Sequence, residues 1–472
     1  MTQERMFLNE IIENPDDDAP RLVFADWLEE RGDLRADFIR AQCELAKLPD
    51  HERRPDLEAR EQQLLFRHGK QWAKPLRKRI KKWTFRRGLI DEVTVSAAAF
   101  LEHGEELLQR APIQGVRLKD AGQLLGDLAD CPWMQRITSL DFGGPNYWHN
   151  HPPAPPARID DVMGLLCSPN LANLKHLKPV CLLHMRPWGS QQFFWSDLRG
   201  WKGLRNLHSL DLSETYQDWD WRRQVLPQIT HLKELRTETF GAYNPSDPPA
   251  PLPGVALDRL TLDHAHLLDW ELDFINANTE AAFVNCHAID ASPRIPSLLA
   301  HEAAKKVVGL YLENCRLTGV ALKQLVECEG LSRLRALRLR NTSIPQSGLD
   351  ALRRSRCLKD LAELDLTNCA RAGDKDRGAR AATGGGFPHL TTLRLGGNAI
   401  SGRGLKRLVD SPVTKQLIRL ELDRNPLGDE GGELLVRHGP WPRLCCLDLR
   451  ATGLSDGVKG RLRRVFGSRV RY

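Results

Sequence analysis

From about residue 307 the chain repeats itself. The segments VVGLYLENCRL, LRALRLRNTSI, LAELDLTNCAR, LTTLRLGGNAI, LIRLELDRNPL and LCCLDLRATGL align on one template, L-x-x-L-x-L-x-x-N/C/T-x-L. They begin at Val307, Leu334, Leu361, Leu390, Leu417 and Leu444, in steps of 27, 27, 29, 27 and 27 residues. A period this constant leaves little choice of architecture. Each unit is too small to bury its own apolar face and must stack on its neighbours. Within a unit, Leu364 and Leu366 alternate as on a strand, so both face a core while Asp365 points the other way. The slot held by Cys315, Thr342, Cys369, Asn398, Asn425 and Thr452 is expected to turn inward and bond backbone left unpaired where the strand bends. The other half of each unit, such as SGRGLKRLVDSP after Ile400, carries Leu405 and Leu408 at helical spacing.

This template resembles the leucine-rich repeat, and the unit length is similar to its ribonuclease-inhibitor subclass. The resemblance implies an α/β solenoid, a horseshoe with a parallel concave sheet and convex helices. Weaker copies run upstream, at LDRLTLDHAHL from Leu257, LKELRTETF from Leu232, LHSLDLSETY from Leu207 and ITSLDFGGPNY from Ile137. IQGVRLKDA at Ile113 and LIDEVTVSAAAF around Ile90 read as the first turns, and 171–183 and 279–289 as further degenerate ones, about fourteen in all. The array is placed at 89–456, irregular at 143–203, with a basic helical cap at 457–472.

Before it, MFLNEIIEN, APRLVFADWLEERGD and RADFIRAQCELAKL read as three short helices broken at Pro15 and Gly32, a small all-α domain over 1–48. DDDAPRLVFADWLEERGD followed by RADFIRAQ resembles the repeat-companion domain found beside repeat arrays in planctomycete bacteria. That likeness implies a domain boundary and a bacterial origin, and no activity. Asp16, Asp17 and Asp18 stand where side-chain oxygens cap a helix and negative charge meets its dipole. The calcium-loop spacing fails at Pro20 and lacks its closing glutamate. Residues 49–88 form a basic connector, in which KPLRKRIKKWTFRRG (74–88) holds eight Lys/Arg with Trp83 and Phe85. It reads as an amphipathic helix sealing the first repeat, or as a surface for nucleic acid or an acidic membrane.

A net charge of +7 over 472 residues is mildly basic and does not by itself imply nucleic acid. No apolar run approaches the roughly 18–20 residues that span a bilayer, and the charged N-terminus has no signal-peptide core, so the cytoplasm is the expected location. The eleven cysteines include no C-x-x-C pair and read as reduced core residues.

No catalytic or cofactor motif stands out, which points to a non-enzyme without cofactor. The residues facing outward between core positions are Asp141, Asp211, Arg236, Thr261, Tyr311, Arg338, Asp365, Arg394, Glu421 and Asp448. The next outward row holds Glu238, Asp263, Glu313, Arg340, Asp423 and Arg450. Both signs alternate, which suits another protein or peptide rather than a polyanion; the alternative is that these residues are simply solvated. Six of twelve tryptophans fall between 143 and 221, namely Trp148, Trp188, Trp195, Trp201, Trp219 and Trp221, either as partner anchors in loops or as plugs in worn repeats. His264, His266, Cys286 and His287 are placed where successive turns could bring them to metal-ligand distance. The expectation is a monomeric protein-binding scaffold. The alternative is a nucleic-acid or anionic-surface binder using 74–88 and the basic tail. A third reading, a hydrolase in the helical domain, rests on Asp17 or Asp26.

Overall fold

The computed structural model describes residues 2–48, 54–142, 159–179, 198, 200–213, 225–238, 256–369, 376–381, 383 and 386–472. The chain divides into two compact units, Met1–Asp258 and Arg259–Tyr472.

The first unit opens with three helices, α1 (Gln3–Glu13), α2 (Ala19–Glu29) and α3 (Arg35–Leu45), followed by α4 (Pro55–Trp72). Thr2 caps α1 through a bond from Arg5 N to its hydroxyl. Ile11, Phe24, Ala25, Leu28, Ala36, Ile39 and Cys43 bury together as the core of this domain, with Phe7, Leu8, Leu22, Trp27 and Leu89 packed on it. Leu89 comes from beyond α4, so the helices fold onto the start of the array.

The stretch 74–88 is not a helix. The chain leaves α4 through turns around Pro75 and enters β1 (Lys82–Arg86), which pairs antiparallel with β2 (Leu89–Ser96). Lys82, Thr84 and Arg86 are exposed while Trp83 and Phe85 are half-buried, a period of two rather than 3.6. Arg87 and Gly88 close the hairpin with φ of 49° and 86°, as a two-residue turn requires. A Cβ on Gly88 would stand 2.5 Å from Ile39 Cα, so only glycine lets the turn meet α3.

The three aspartates serve this junction as much as they start a helix. Asp17 Oδ1 accepts from Ala19 N at 2.9 Å, an Asx-type bond that satisfies the first free N–H of α2. Asp18 makes no capping bond. Its carboxylate lies 3.5 Å from Arg87 Nε and 3.8 Å from Lys47 Nζ. Arg87 Nη1 also donates to Asp16 O at 2.6 Å, and Lys175 Nζ stands 3.7 Å from the Asp16 carboxylate. The helical domain is thus latched to the hairpin and to a later turn of its own unit.

After β2, the helix α5 (Ala97–Arg110) leads to β3 (Gly115–Lys119), β4 (Ser139–Asp141), β5 (His176–Lys178), β6 (Ser209–Asp211) and β7 (Glu234–Glu238). Strands β2 to β7 are parallel in chain order, with Val116, Leu140, Leu177, Leu210 and Leu235 in one register. Among the tryptophans of the aromatic stretch, Trp201 is buried and donates to Leu166 O at 2.8 Å, so it is a core plug. Trp148, Trp188, Trp195, Trp219 and Trp221 lie outside the described residues.

The second unit contains β8 (Arg259–Asp263), β9 (Ala282–His287), β10 (Val307–Glu313), β11 (Ala336–Arg338), β12 (Glu363–Asp365), β13 (Thr392–Arg394), β14 (Arg419–Glu421), β15 (Cys446–Asp448) and β16 (Val470–Arg471), all parallel in sequence order. The tail is a helix, Asp456–Phe466, that returns to add β16 rather than a helix throughout. Leu337, Leu364, Leu393, Leu420 and Leu447 stand in one register and are each fully buried.

The inward slot behaves as the template requires. Thr342 Oγ1 donates to Leu312 O at 2.7 Å, and Asn398 Nδ2 donates to Leu366 O at 2.7 Å and Leu395 O at 3.0 Å. Asn425 Nδ2 reaches Leu395 O and Leu422 O, both at 2.9 Å. Its Oδ1 accepts from Asn398 N at 2.9 Å and Ile400 N at 3.0 Å. Each side chain therefore pairs backbone that the bend would leave unbonded in the core. The residue just before the slot is left-handed at Asp120, His264, Ala288, Asn314, Asn341, Asn368, Gly397, Arg424 and Ala451. The asparagines and glycine tolerate that region best. The chain is an α/β leucine-rich-repeat solenoid with helices before it.

Candidate partner-binding face

Because side chains alternate along a strand, three residues per repeat can face away from the core: the third, fifth and seventh of the template. In the second unit these outward residues bond to one another. Arg338 grips Glu363 with two donors, Nε to Oε1 at 2.7 Å and Nη2 to Oε2 at 3.3 Å, while its guanidinium carbon lies 4.2 Å over the Tyr311 ring. Arg394 also bonds Glu363, lies 3.9 Å from Asp365 Oδ2, and reaches Glu421 Oε2 at 3.3 Å. Arg419 Nη1 meets Glu421 Oε1 at 3.2 Å, and Arg340 Nη2 meets Asp365 Oδ2 at 3.1 Å. A chain of alternating charges thus runs from Tyr311 on β10 to Arg419 on β14.

Five of the residues expected on this face, Arg338, Arg340, Asp365, Arg394 and Glu421, are brought together here, with Tyr311 stacked at one end. They are not simply solvated. Asp365 is fully buried, and Thr367 donates to its Oδ1 from both N (2.9 Å) and Oγ1 (2.6 Å). Asp448 is also buried, gripped by Arg450 Nε at 2.9 Å and Nη2 at 2.7 Å. Asp423 pairs at 2.9 Å with Arg424, its neighbour in sequence.

In the first unit two pairs lie on this face among the described residues. Arg117 Nε bonds Asp141 Oδ2 at 2.6 Å, and Lys178 Nζ stands 3.1 Å from Asp211 Oδ2. Arg236 is exposed on β7.

Burial alone would push Glu363 up, but the bond from Arg338 and the charges of Arg394 and Arg338 hold it below the ordinary glutamate value. Asp448 is likewise lowered, burial being outweighed by Arg450. Burial raises Tyr311 against the pull of Arg338. Carboxylates held ionised this firmly suit charge pairing better than proton transfer near neutrality.

Reading only the fifth and seventh positions misses the third, where Glu363 and Arg419 join the network. Arg259 and Phe283 stack at the third position of their strands, with the guanidinium carbon 4.2 Å from the ring centroid. Period-two alternation from Leu364 to Leu366 already implied that Glu363 faces outward.

The histidine grouping does not converge. Cys286 points into the core while His287 is exposed one residue later. The rings of His264 and His287 are 6.2 Å apart edge to face, and His287 Nε2 bonds Asn314 Nδ2 at 2.7 Å. Among the described residues no group of three or more His, Cys, Asp or Glu could hold a metal ion. None of the described helices is long and apolar enough to cross a membrane.

No family model matches the chain, and no curated protein sequence matches it. More than a hundred chains of solved structures are similar to it, among them the following three. The yeast Rad7–Elc1 complex aligns at 12% identity with TM-score 0.39, over 97% of this chain and 96% of that one. An internalin from Listeria monocytogenes aligns at 17% identity with TM-score 0.35, over 72% and 82%. A complex of TLR13 with the single-stranded RNA ssRNA13 aligns at 16% identity with TM-score 0.36, over 79% of this chain and 55% of that one.

Proposed function

We propose that the protein is a non-enzymatic scaffold that takes a protein or peptide partner on the outward strand face. The run Tyr311–Arg338–Glu363–Arg394–Glu421–Arg419 carries this reading. Its arginines are already fixed by carboxylates, so a partner meets ordered charge without the cost of ordering long side chains. The alternation of sign favours a partner with complementary charges over a polyanion, which gains from uncompensated cations. Asp211, Arg236, Arg340, Asp365, Asp423 and Asp448 extend the face, with Asp365 and Asp448 acting from beneath it by holding arginines. Trp148, Trp188, Trp195, Trp219 and Trp221 are proposed as loop anchors for the same partner. The ribonuclease-inhibitor-like unit length and the repeat-companion likeness of the N-terminal helices fit a bacterial repeat scaffold kept in the cytoplasm.

The test compares two charge-reversed proteins in pull-downs, with and without nuclease. Arg338→Glu with Arg394→Glu should lose a nuclease-resistant protein partner, while Lys78→Glu with Lys81→Glu should keep it. Retention of only nucleic acid, lost in the second variant, would overturn the reading and move the function to the connector.

A further inference from the structure

The helical domain and the hairpin leave a cleft of about 400 Å³ between α1, the turn after α4, β1–β2 and the end of α5. Its wall is apolar. Leu8, Trp72, Phe85 and Leu89 are half-buried there beside the fully covered Leu76 and Ile90. The wall is also rigid: the Phe38 ring packs 4.9 Å from Trp72 and 5.5 Å, edge-on, from Phe85. A second cleft of about 490 Å³ shares Arg35, Trp72 and Pro75 with it. Such a volume is ordinary for a small-molecule site.

The rim decides what kind of molecule fits. It carries Glu4, Arg5, Arg35 and Arg110. Arg35 holds both nearby acids, Glu4 at 2.9 Å and Asp33 at 2.8 Å. Arg110 is engaged by Glu106 at 2.7 Å. Among the described residues the Arg5 guanidinium has no ion-pair partner. Counted with their ion-pair partners, four arginines (Arg5, Arg35, Arg79 and Arg110) meet three acids (Glu4, Asp33 and Glu106), so the cleft combines an apolar interior with one net positive charge, and Arg5 is the cation outside the pairs.

We propose that this cleft binds a small amphiphilic monocarboxylate, its apolar body along Trp72, Phe85 and Leu89 and its carboxylate at Arg5. A neutral apolar molecule would leave the guanidinium unused. A dianion would find only one uncommitted charge. The body could be an acyl chain of about ten carbons or a fused aromatic acid, since either fills a site of this size. The inference does not depend on the strand-face function, which uses other residues.

Calorimetric titration of the full chain tests it, with decanoate, decanol, 2-naphthoate and 2-naphthol as probes. The expected result is saturable one-to-one binding of at least one carboxylate, with its matched alcohol about tenfold weaker or more, a charge-assisted contact of about 1.4 kcal/mol. The preferred carboxylate identifies the source as acyl chain or aromatic acid. Arg5→Glu, at the surface, should erase the preference while leaving alcohol binding unchanged, and Leu8→Trp should block both. Equal binding of acid and alcohol, no binding of either acid, or a preference that survives Arg5→Glu would each overturn the proposal.

Discussion

The two units solve the same problem with different means. In the second, backbone freed at each strand bend is met by side chains of the repeat itself: Thr342, Cys369, Asn398, Asn425 and Thr452 bond carbonyls in their own turn or the one before. In the first, the template is worn, and among the described residues order comes from outside the slot. Trp201 reaches Leu166 O from a neighbouring turn, and the N-terminal helices are latched through Arg87 and Gly88. A regular repeat can thus be self-sufficient, whereas a degraded one needs a companion element to finish its core. The comparison breaks wherever the two kinds of support prove interchangeable.

The largest effect is expected in the slot of the second unit. Asn398 is fully buried, bonds Leu366 O, Leu395 O and Gly396 O, and accepts from Cys369 N at 2.9 Å. Asn398→Ala removes all four bonds and leaves a void, for a loss of about 3–4 kcal/mol in denaturant unfolding. Asn398→Thr should recover part of it, since Thr342 fills an equivalent slot with one strong bond. If Thr proves as costly as Ala, the slot acts by volume rather than by hydrogen bonding.

Gly88→Ala is the matching break in the first unit. The added Cβ would meet Ile39 backbone at a left-handed position, so the hairpin and α3 must part, at about 3 kcal/mol. Limited proteolysis should then cut between the helical domain and β1 at least tenfold faster. Unchanged protection would show that the latch is Arg87 alone.

Smaller again is Glu363→Gln. It removes the negative charge shared by Arg338 and Arg394 and turns one of the two acceptor oxygens into a donor, and because the face is partly wet the cost should be about 1–2 kcal/mol. If partner binding falls by more than stability predicts, the ordered arginines are the recognition surface. If binding is unmoved, the strand-face function fails with it.

Much of this was legible in the sequence, and the rest was hidden for physical reasons. A 27-residue period with Leu at fixed places dictates strands, slot and stacking, and the slot bonds followed from residue type alone. What a period cannot say is which side chain meets which across a gap of about 25 residues. Asp365 and Asp448, expected to face a partner from the outward row, are buried acceptors of Thr367 and Arg450. The alternation Lys82-Trp83-Thr84-Phe85-Arg86 is a strand signal of only five residues, hidden within a longer basic run that reads equally as an amphipathic helix. Asp18, expected to cap, was drawn instead to Arg87, a partner brought near only by the fold.

The last contrast is within the first unit and concerns pH. Burial, against the pull of Arg86 and Arg21, pushes Asp91 up to about 6, from 3.8 in the unfolded chain. Burial, aided by Arg86, His208 and Lys175, lowers His176 to about 4, from 6.5. Between those limits the folded protein carries an extra proton at Asp91, so this group adds stability as pH falls through 6. Over the same range it lacks one at His176, so that group costs stability once pH falls below 6.5. From pH 7 to 5 each is worth about 1–2 kcal/mol with opposite sign, and the intact protein should change little. Asp91→Asn keeps the His176 cost without its counterweight and should lose stability on acidification. His176→Asn should gain it. Thermal melts of both variants at pH 7 and pH 5 read the two slopes directly, and parallel slopes would mean that one of these side chains is hydrated in the folded state.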